Sequence, residues 1–309
     1  MEEYNISKID ESEFYKLIPL MQNAFGLSVN IDYFKWKFLQ NPAGKFVGYI
    51  ATKVKTNEIA AYYGVIPEKY ISDGKSILFY QSCDTMTHSS HRRKGLFQKL
   101  ALKCYEDLRS ENKLNLYGFG GNQSTPGFFK MGWKLQSTFI ISTIPSFLCY
   151  SNTSNSVSFK SDIDEEIIYF IYNHNLKVKN FKKELDKDYL KWKFNNPLFK
   201  YYYIYIKNEN KIESLIIYKI EYNSLVIIDV FGNKKIRSLI HFLKNKVFEL
   251  KLKGILYYIN KKNRFKYLKF GFLFNPLRIG PLSERIPFIT LSDQKLNDWL
   301  PSMIEHDAI

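Results

Sequence analysis

Two stretches of the chain place apolar residues at helical spacing. Leu96, Phe97, Leu100, Cys104 and Leu108 fall on one helix face, and so do Ile236, Leu239, Ile240, Leu243, Val247 and Leu250. Each stretch follows a short strand-like run, SCDT at 82–85 and IIDV at 227–230, and precedes another, LNLYGFG or GILYYIN. Further upstream, apolar residues flank a polar turn in both halves: FVGYIATKVKTNEIAAYYGVIP and YYYIYIKNENKIESLIIYKIE. Both patterns predict β-hairpins. Each half closes on a short helix and an aromatic after glycine, FFKMGW at 128–133 and YLKFGF at 267–272.

The two halves share more than this outline. Residues 32–42 read DYFKWKFLQNP and residues 188–197 read DYLKWKFNNP, identical at six of the first seven positions and 156 residues apart. A chain with four Trp does not produce that register by chance. The order of elements predicts an α/β fold, a mixed α+β sheet, built as a tandem pair. The domains are placed at 1–148 and 160–309, each a mostly antiparallel central sheet flanked by helices. The junction is set near 148–165, where YSNTSNSVS is polar and rich in Ser and Asn. Trp36 and Trp192, with Tyr33, Phe34, Tyr189 and Leu190 around them, are spaced like a helix face and read as packing anchors.

Composition narrows the class. The 309 residues are 45% hydrophobic and 24% charged, which excludes a disordered or low-complexity chain. Cys83, Cys104 and Cys149 show neither CxxC nor Cys/His metal spacing, so neither a disulfide scaffold nor a metal site is expected. The acidic start lacks an apolar signal core, and the densest apolar run, 139–150, is broken by Ser142, Thr143, Pro145 and Ser146. A cytoplasmic protein with no membrane contact is expected. The net charge of +15 suits polyanionic partners. Asp, Glu and aromatics interrupt every Lys run, however, and no DNA- or RNA-binding motif appears, so nucleic acid is not the expected partner.

One segment concentrates chemistry: SCDTMTHSSHRRKGLFQKLALKCYEDL, a strand over 80–88, a polar turn, and a helix opening at Gly95. Arg92, Arg93 and Lys94 surround that glycine with positive charge. A helix N-terminus adds free N–H groups and the positive end of the helix dipole. Together these make an anion site, and glycine permits close backbone approach to a pyrophosphate. An ordinary strand–turn–helix with a solvated basic turn is the alternative reading.

Two motifs then carry a resemblance. Arg92-Arg93-Lys94-Gly95-Leu96-Phe97 resembles the Arg/Gln-x-x-Gly-x-Gly/Ala loop of the GNAT superfamily of acyl-CoA N-acyltransferases, with Phe97 where the family has its second small residue. Asn122, followed by a short helix ending at Gly132-Trp133, resembles the family's second signature. The match covers roughly residues 5–145 well and 165–280 in outline.

The resemblance implies that the fourth and fifth strands splay and that the pantetheine arm of acetyl-CoA inserts between them. Backbone groups of Thr85, Met86 and Thr87 would pair with it. The amides from Arg93 to Phe97 would hold the pyrophosphate, with Arg92, Lys94, Gly95 and Leu96 in the same loop, and Asn122 would approach the pantetheine. An amine would attack the thioester directly. Asp84 and His88 are the candidate bases, and their even separation puts both on one face of an unbroken strand. Phe128 stands where many members carry a tyrosine acid. The second half has Asn233-Lys234-Lys235-Ile236-Arg237-Ser238 in place of the glycine turn, with Tyr267 four residues before Gly271, and reads as a degenerate copy that supports the first and lines the acceptor pocket.

The resemblance extends to bacterial enzymes that acetylate amino sugars, often nucleotide-linked, for surface polysaccharides. An amino acid, polyamine, peptide or aminoglycoside acceptor is an alternative, as are a longer acyl donor and an inactive scaffold that binds nucleic acid. The oligomeric state is left open.

Overall fold

The computed structural model describes residues 3–150, 157–177, 181–275, 285–292, 294, 296, 299 and 301–306. Most of the Ser/Asn-rich junction, 151–156, lies outside the described residues.

The first half runs β1 (Tyr4–Lys8), α1 (Leu17–Phe25), α2 (Ile31–Phe38), β2 (Val47–Lys53), β3 (Ile59–Ser72), β4 (Lys75–Thr87), α3 (Leu96–Ser110), β5 (Leu116–Phe119), α4 (Thr125–Lys130) and β6 (Lys134–Pro145). The second half repeats that order as β7 (Ser158–Lys160), α5 (Glu165–Leu176), β8 (Lys182–Lys183), α6 (Lys187–Phe194), β9 (Tyr201–Asn208), β10 (Lys211–Glu221), β11 (Ser224–Phe231), α7 (Ile236–Glu249), β12 (Gly254–Asn260) and α8 (Arg264–Leu268). It ends with β13 (Leu273–Phe274), β14 (Arg285–Leu291) and α9 (Met303–His306). The predicted hairpins form, β2 with β3 and β9 with β10, and two more, β3 with β4 and β10 with β11, join them. Local chemistry explains three of the turns. Asp73-Gly74, Glu209-Asn210 and Tyr222-Asn223 all take positive φ at both turn positions, the type I′ geometry that matches strand twist.

The strands join in one sheet in the order β1-β2-β3-β4-β5-β14-β6-β12-β11-β10-β9-β7. That order is a palindrome of the repeat with its last strands exchanged. β6, from the first half, lies antiparallel to β12, while β14 lies antiparallel to β5, and β14 and β6 pair at the centre. The expected division at 148/160 therefore cuts a continuous sheet. Only the β4·β5 and β11·β12 pairs are parallel among the described strands.

The duplicated motif sits on the approximate two-fold axis. Both copies are eight-residue helices with side-chain N-caps: Asn30 accepts from the amides of Asp32 and Tyr33, and Asp186 from that of Tyr189. Trp36 and Trp192 stack with centroids 5.0 Å apart and planes 16° from parallel. Each indole N–H donates to the other's main-chain carbonyl at 2.8 Å. One hydrophobic cluster runs through this contact, from Phe14, Phe34 and Phe38 to Leu190, Tyr203 and Ile217. The Trp pair anchors packing between the halves, and both indole donors are satisfied in a dry environment.

Candidate active site

β4 and β5 pair in parallel only over Tyr80–Ser82 with Leu116–Gly118. β5 then ends at Phe119 while β4 continues to Thr87, so the two strands part. His88 N donates to Ala60 O of β3 at 2.9 Å. By strand alternation Met86 also faces β3, and the amides of Thr85 and Thr87 turn to the open edge. A cavity of about 360 Å³ fills the gap, walled by Ser82–Thr85 on one side and Gly118–Gly121 on the other.

Asp84 sits at a β-bulge. The register of β3 on β4 slips between Tyr62↔Met86 and Gly64↔Cys83, and Asp84 takes φ 48°. This corrects the expectation of an unbroken strand: Asp84 and His88 do not share a face. The Asp84 carboxylate accepts from Lys37 Nζ at 2.7 Å and from the Tyr33 hydroxyl at 3.3 and 3.4 Å, and neither member of the ion pair has side-chain exposure. Burial pulls the Lys37 ammonium down, but the facing Asp84 carboxylate more than offsets it, so its pKa stands above the ordinary value. Burial pushes the neighbouring Cys83 thiol up to about 12. Asp84 thus holds α2 against the bulge with both carboxylate oxygens engaged, although it also lines the cavity.

His88 does not line the cavity. It caps the short turn Ser89–His91, with Nδ1 2.7 Å from Ser90 Oγ. Asn23 of α1 pins the turn by accepting from Ser89 N at 2.8 Å.

The turn then enters α3. Arg93 (φ 64°) and Gly95 (φ 72°) alternate with negative-φ neighbours, a geometry that turns successive amides inward to form an anion nest. No described side chain caps α3, which leaves the amides of Leu96 and Phe97 available. A methyl group at Gly95 would meet nothing within 4 Å, so the left-handed backbone, not crowding, calls for glycine there. Arg92, Arg93 and Lys94 are exposed. Lys94 is drawn to Glu3 at 2.6 Å, whereas the Leu96 side chain belongs to the core. Phe97, in place of a second small residue, packs edge-on to Phe128 at 5.0 Å and covers Gly127. Phe128 lines the cavity without a hydroxyl, braced by Trp133 at 4.7 Å. Asn122 is exposed in the turn before α4, outside the cavity lining.

Sequence reasoning assigned the second half to the acceptor pocket but named no residue of this far wall. Lys219, Glu221 and Tyr222, from the β10–β11 hairpin of the second half, face the first half's cavity, and Met303 of α9 joins them. Lys219 Nζ lies 3.4 Å from the Phe199 ring centre and 3.1 Å from a Glu221 carboxylate oxygen. No local signal marks these residues, because strand exchange and repeat packing bring them to the site.

The second half keeps the frame but fills it. β11 and β12 pair only over Leu225–Ile227 with Ile255–Tyr257 and then part. Lys235 takes φ 52° at the start of α7, where the first copy has Gly95. The cavity in this gap is about 110 Å³, narrowed by Phe272 and by Tyr267, which stands edge-on to Tyr257 at 5.2 Å.

A splayed parallel strand pair that opens onto an uncapped helix N-terminus, repeated twice on one mixed sheet, defines a tandem GNAT-like fold. Residues 5–135 match the family model described as an acetyltransferase (GNAT) domain. Among solved structures, the chain is similar to a probable N-acyltransferase from Enterococcus faecalis V583 (TM-score 0.65, 12% identity, covering 94% of this chain and 72% of that one). It is also similar to Saccharomyces cerevisiae N-myristoyltransferase with bound myristoyl-CoA (TM-score 0.66, 10% identity, 94% and 79% covered). A third is the tandem GNAT protein from the clavulanic acid biosynthesis pathway (TM-score 0.65, 10% identity, 94% and 98% covered). At such identities the likeness is one of fold. None of the curated proteins matches the chain.

Proposed function

We propose that the protein is an acyl-CoA-dependent N-acyltransferase with one working site, in the first half, and that acetyl-CoA is its donor. The observation that carries this reading is the cavity between the parted ends of β4 and β5, together with the nest at Arg93–Gly95 in the turn that follows β4. The amides of Thr85 and Thr87 would pair with the pantetheine arm, and the amides at the start of α3 would take the pyrophosphate.

The chemistry then follows from what lines the gap. The amine nitrogen bonds to the thioester carbonyl carbon, and an open-edge N–H of β4 stabilises the oxyanion. The C–S bond breaks as the tetrahedral intermediate collapses. The thiolate leaves without a tyrosine acid, because Phe128 occupies that place, and takes its proton from water. Glu221, across the cavity, receives the acceptor's ammonium and accepts its proton, directly or through water. Asp84 serves as a positioning residue for the bulge.

The acceptor is a small primary amine held between the halves. A nucleotide-linked amino sugar is the first to test, on the resemblance in the two motifs and on a surplus of positive charge suited to a diphosphate. Calorimetric titration with acetyl-CoA tests the reading. One site per chain supports it, and absence of binding overturns it in favour of an inactive, polyanion-binding scaffold.

A further inference from the structure

A second cluster of reactive side chains lies beside the loop, outside the cavity. Glu58 stands just before β3, His88 just after β4, and His91 in the turn ahead of Arg92. One ligand atom from each lies within 4.8 Å of the other two. The imidazole rings are 5.7 Å apart, and His91 Nε2 is 3.3 Å from Glu58 Oε1. His91 Nδ1 lies 2.8 Å from the Tyr4 hydroxyl, and His88 Nδ1 lies 2.7 Å from Ser90 Oγ and accepts from Ser90 N at 3.3 Å.

We propose that Glu58, His88 and His91 bind a zinc ion, with water completing a four-coordinate site. Two imidazoles and one carboxylate form a ligand set for zinc, whereas calcium and magnesium ask for oxygen alone. A metal on His91 Nε2 needs His91 Nδ1 to carry the proton, and the Tyr4 hydroxyl is able to accept it, which fixes that ring in advance. His88 Nδ1 accepts from Ser90 N at 3.3 Å, so the ring either binds through Nδ1 or gives up that cap when it binds. Glu58 is exposed and His88 only partly buried, so both can move the short distance needed to close around an ion.

The site would tie β3, β4 and, through Tyr4, β1 to the turn that opens the anion nest. It is a brace for the loop and not a centre for acyl transfer. The inference stands apart from the acyltransferase reading, because zinc binding is measured without acetyl-CoA.

The test uses the full chain, stripped with chelator and dialysed, and titrated with zinc chloride by calorimetry. Cobalt(II) absorption reports the geometry. One zinc per chain and the intense visible bands of four-coordinate cobalt are the expected result. Glu58→Gln should weaken zinc binding at least ~10-fold, and Tyr4→Phe, which removes an orienting partner, by about 10-fold. Circular dichroism of Glu58→Gln confirms that the fold is kept, since the residue is exposed. Absence of zinc uptake by the parent chain, or uptake unchanged in Glu58→Gln, overturns the site.

Discussion

Lys37 and Asp84 form an ion pair closed to solvent, 2.7 Å apart, under the bulge that shapes the cavity. Lys37→Met keeps the apolar stem and deletes the ammonium. Among the described residues, the carboxylate then retains the Tyr33 hydroxyl alone, at 3.3–3.4 Å. Removing one partner of a buried pair costs roughly 3–5 kcal/mol, because the other charge stays desolvated. With ~1 kcal/mol worth about 2–4 °C in a large domain, Lys37→Met should melt roughly 6–20 °C below the parent by scanning calorimetry. Asp84→Asn strands the ammonium and should also destabilise. The double variant removes both charges of this pair, and Asn accepts the left-handed backbone, so it should recover most of the loss. Because the Lys37 pKa is raised in the folded chain, the pair's contribution is fully present below the unfolded Lys value of about 10.4 and fades only as pH climbs past it. A Lys37→Met protein melting within ~2 °C of the parent would refute the reasoning. Kinetics on the double variant separate the two roles. A kcat within about threefold of the parent fits positioning, whereas a loss of ~10² or more returns Asp84 to proton transfer.

Gly95→Asp should abolish acetyl-CoA binding in calorimetry, since it strains a left-handed position and sets a carboxylate against the pyrophosphate; unchanged affinity would sink the loop assignment. Glu221→Gln should lower kcat by roughly 10²-fold with little change in acetyl-CoA affinity, and full activity would clear Glu221 of the base role. Lys234→Ala with Arg237→Ala should leave acetyl-CoA binding intact; its loss would show that the second copy is live. Burial raises the Asp229 carboxyl to about 6, so the folded chain binds its proton more tightly than the unfolded chain, and stability falls as pH rises through that window. Asp229→Asn should therefore raise the melting temperature at pH 8 more than at pH 4, and an equal effect at both would contradict the shift.

The elements and their duplication were legible because they rest on local chemistry: apolar spacing, N-caps, turn residues and the repeated Trp segment. The loop at Gly95 was legible because one glycine in a basic turn marks a left-handed step into a helix. The bulge was not. Asp84 holds positive φ without being glycine, and what stabilises it is Lys37, 47 residues away in sequence. The role of that lysine was hidden in a motif whose apolar members suggested packing alone. The strand exchange was equally hidden, since β6 reads the same whether it lies beside β5 or β12. Glu221 followed it out of sight. The cluster at His88 and His91 was not read as a metal site, because Glu58 lies 30 residues before His88 and joins them only once β3 and β4 are paired.

The reciprocal indole bonds of Trp36 and Trp192, with the swapped closing strands, are the marks of a self-complementary dimer written into a single polypeptide. Ancestry is one consequence: a single-repeat protein that traded its terminal strand with a second copy could have been fused by gene duplication without inventing a new contact. Independence of the copies is another. Once linked, the two gaps were free to diverge, and they now differ in size, about 360 Å³ against about 110 Å³, with the β10–β11 hairpin of the second half lining the larger.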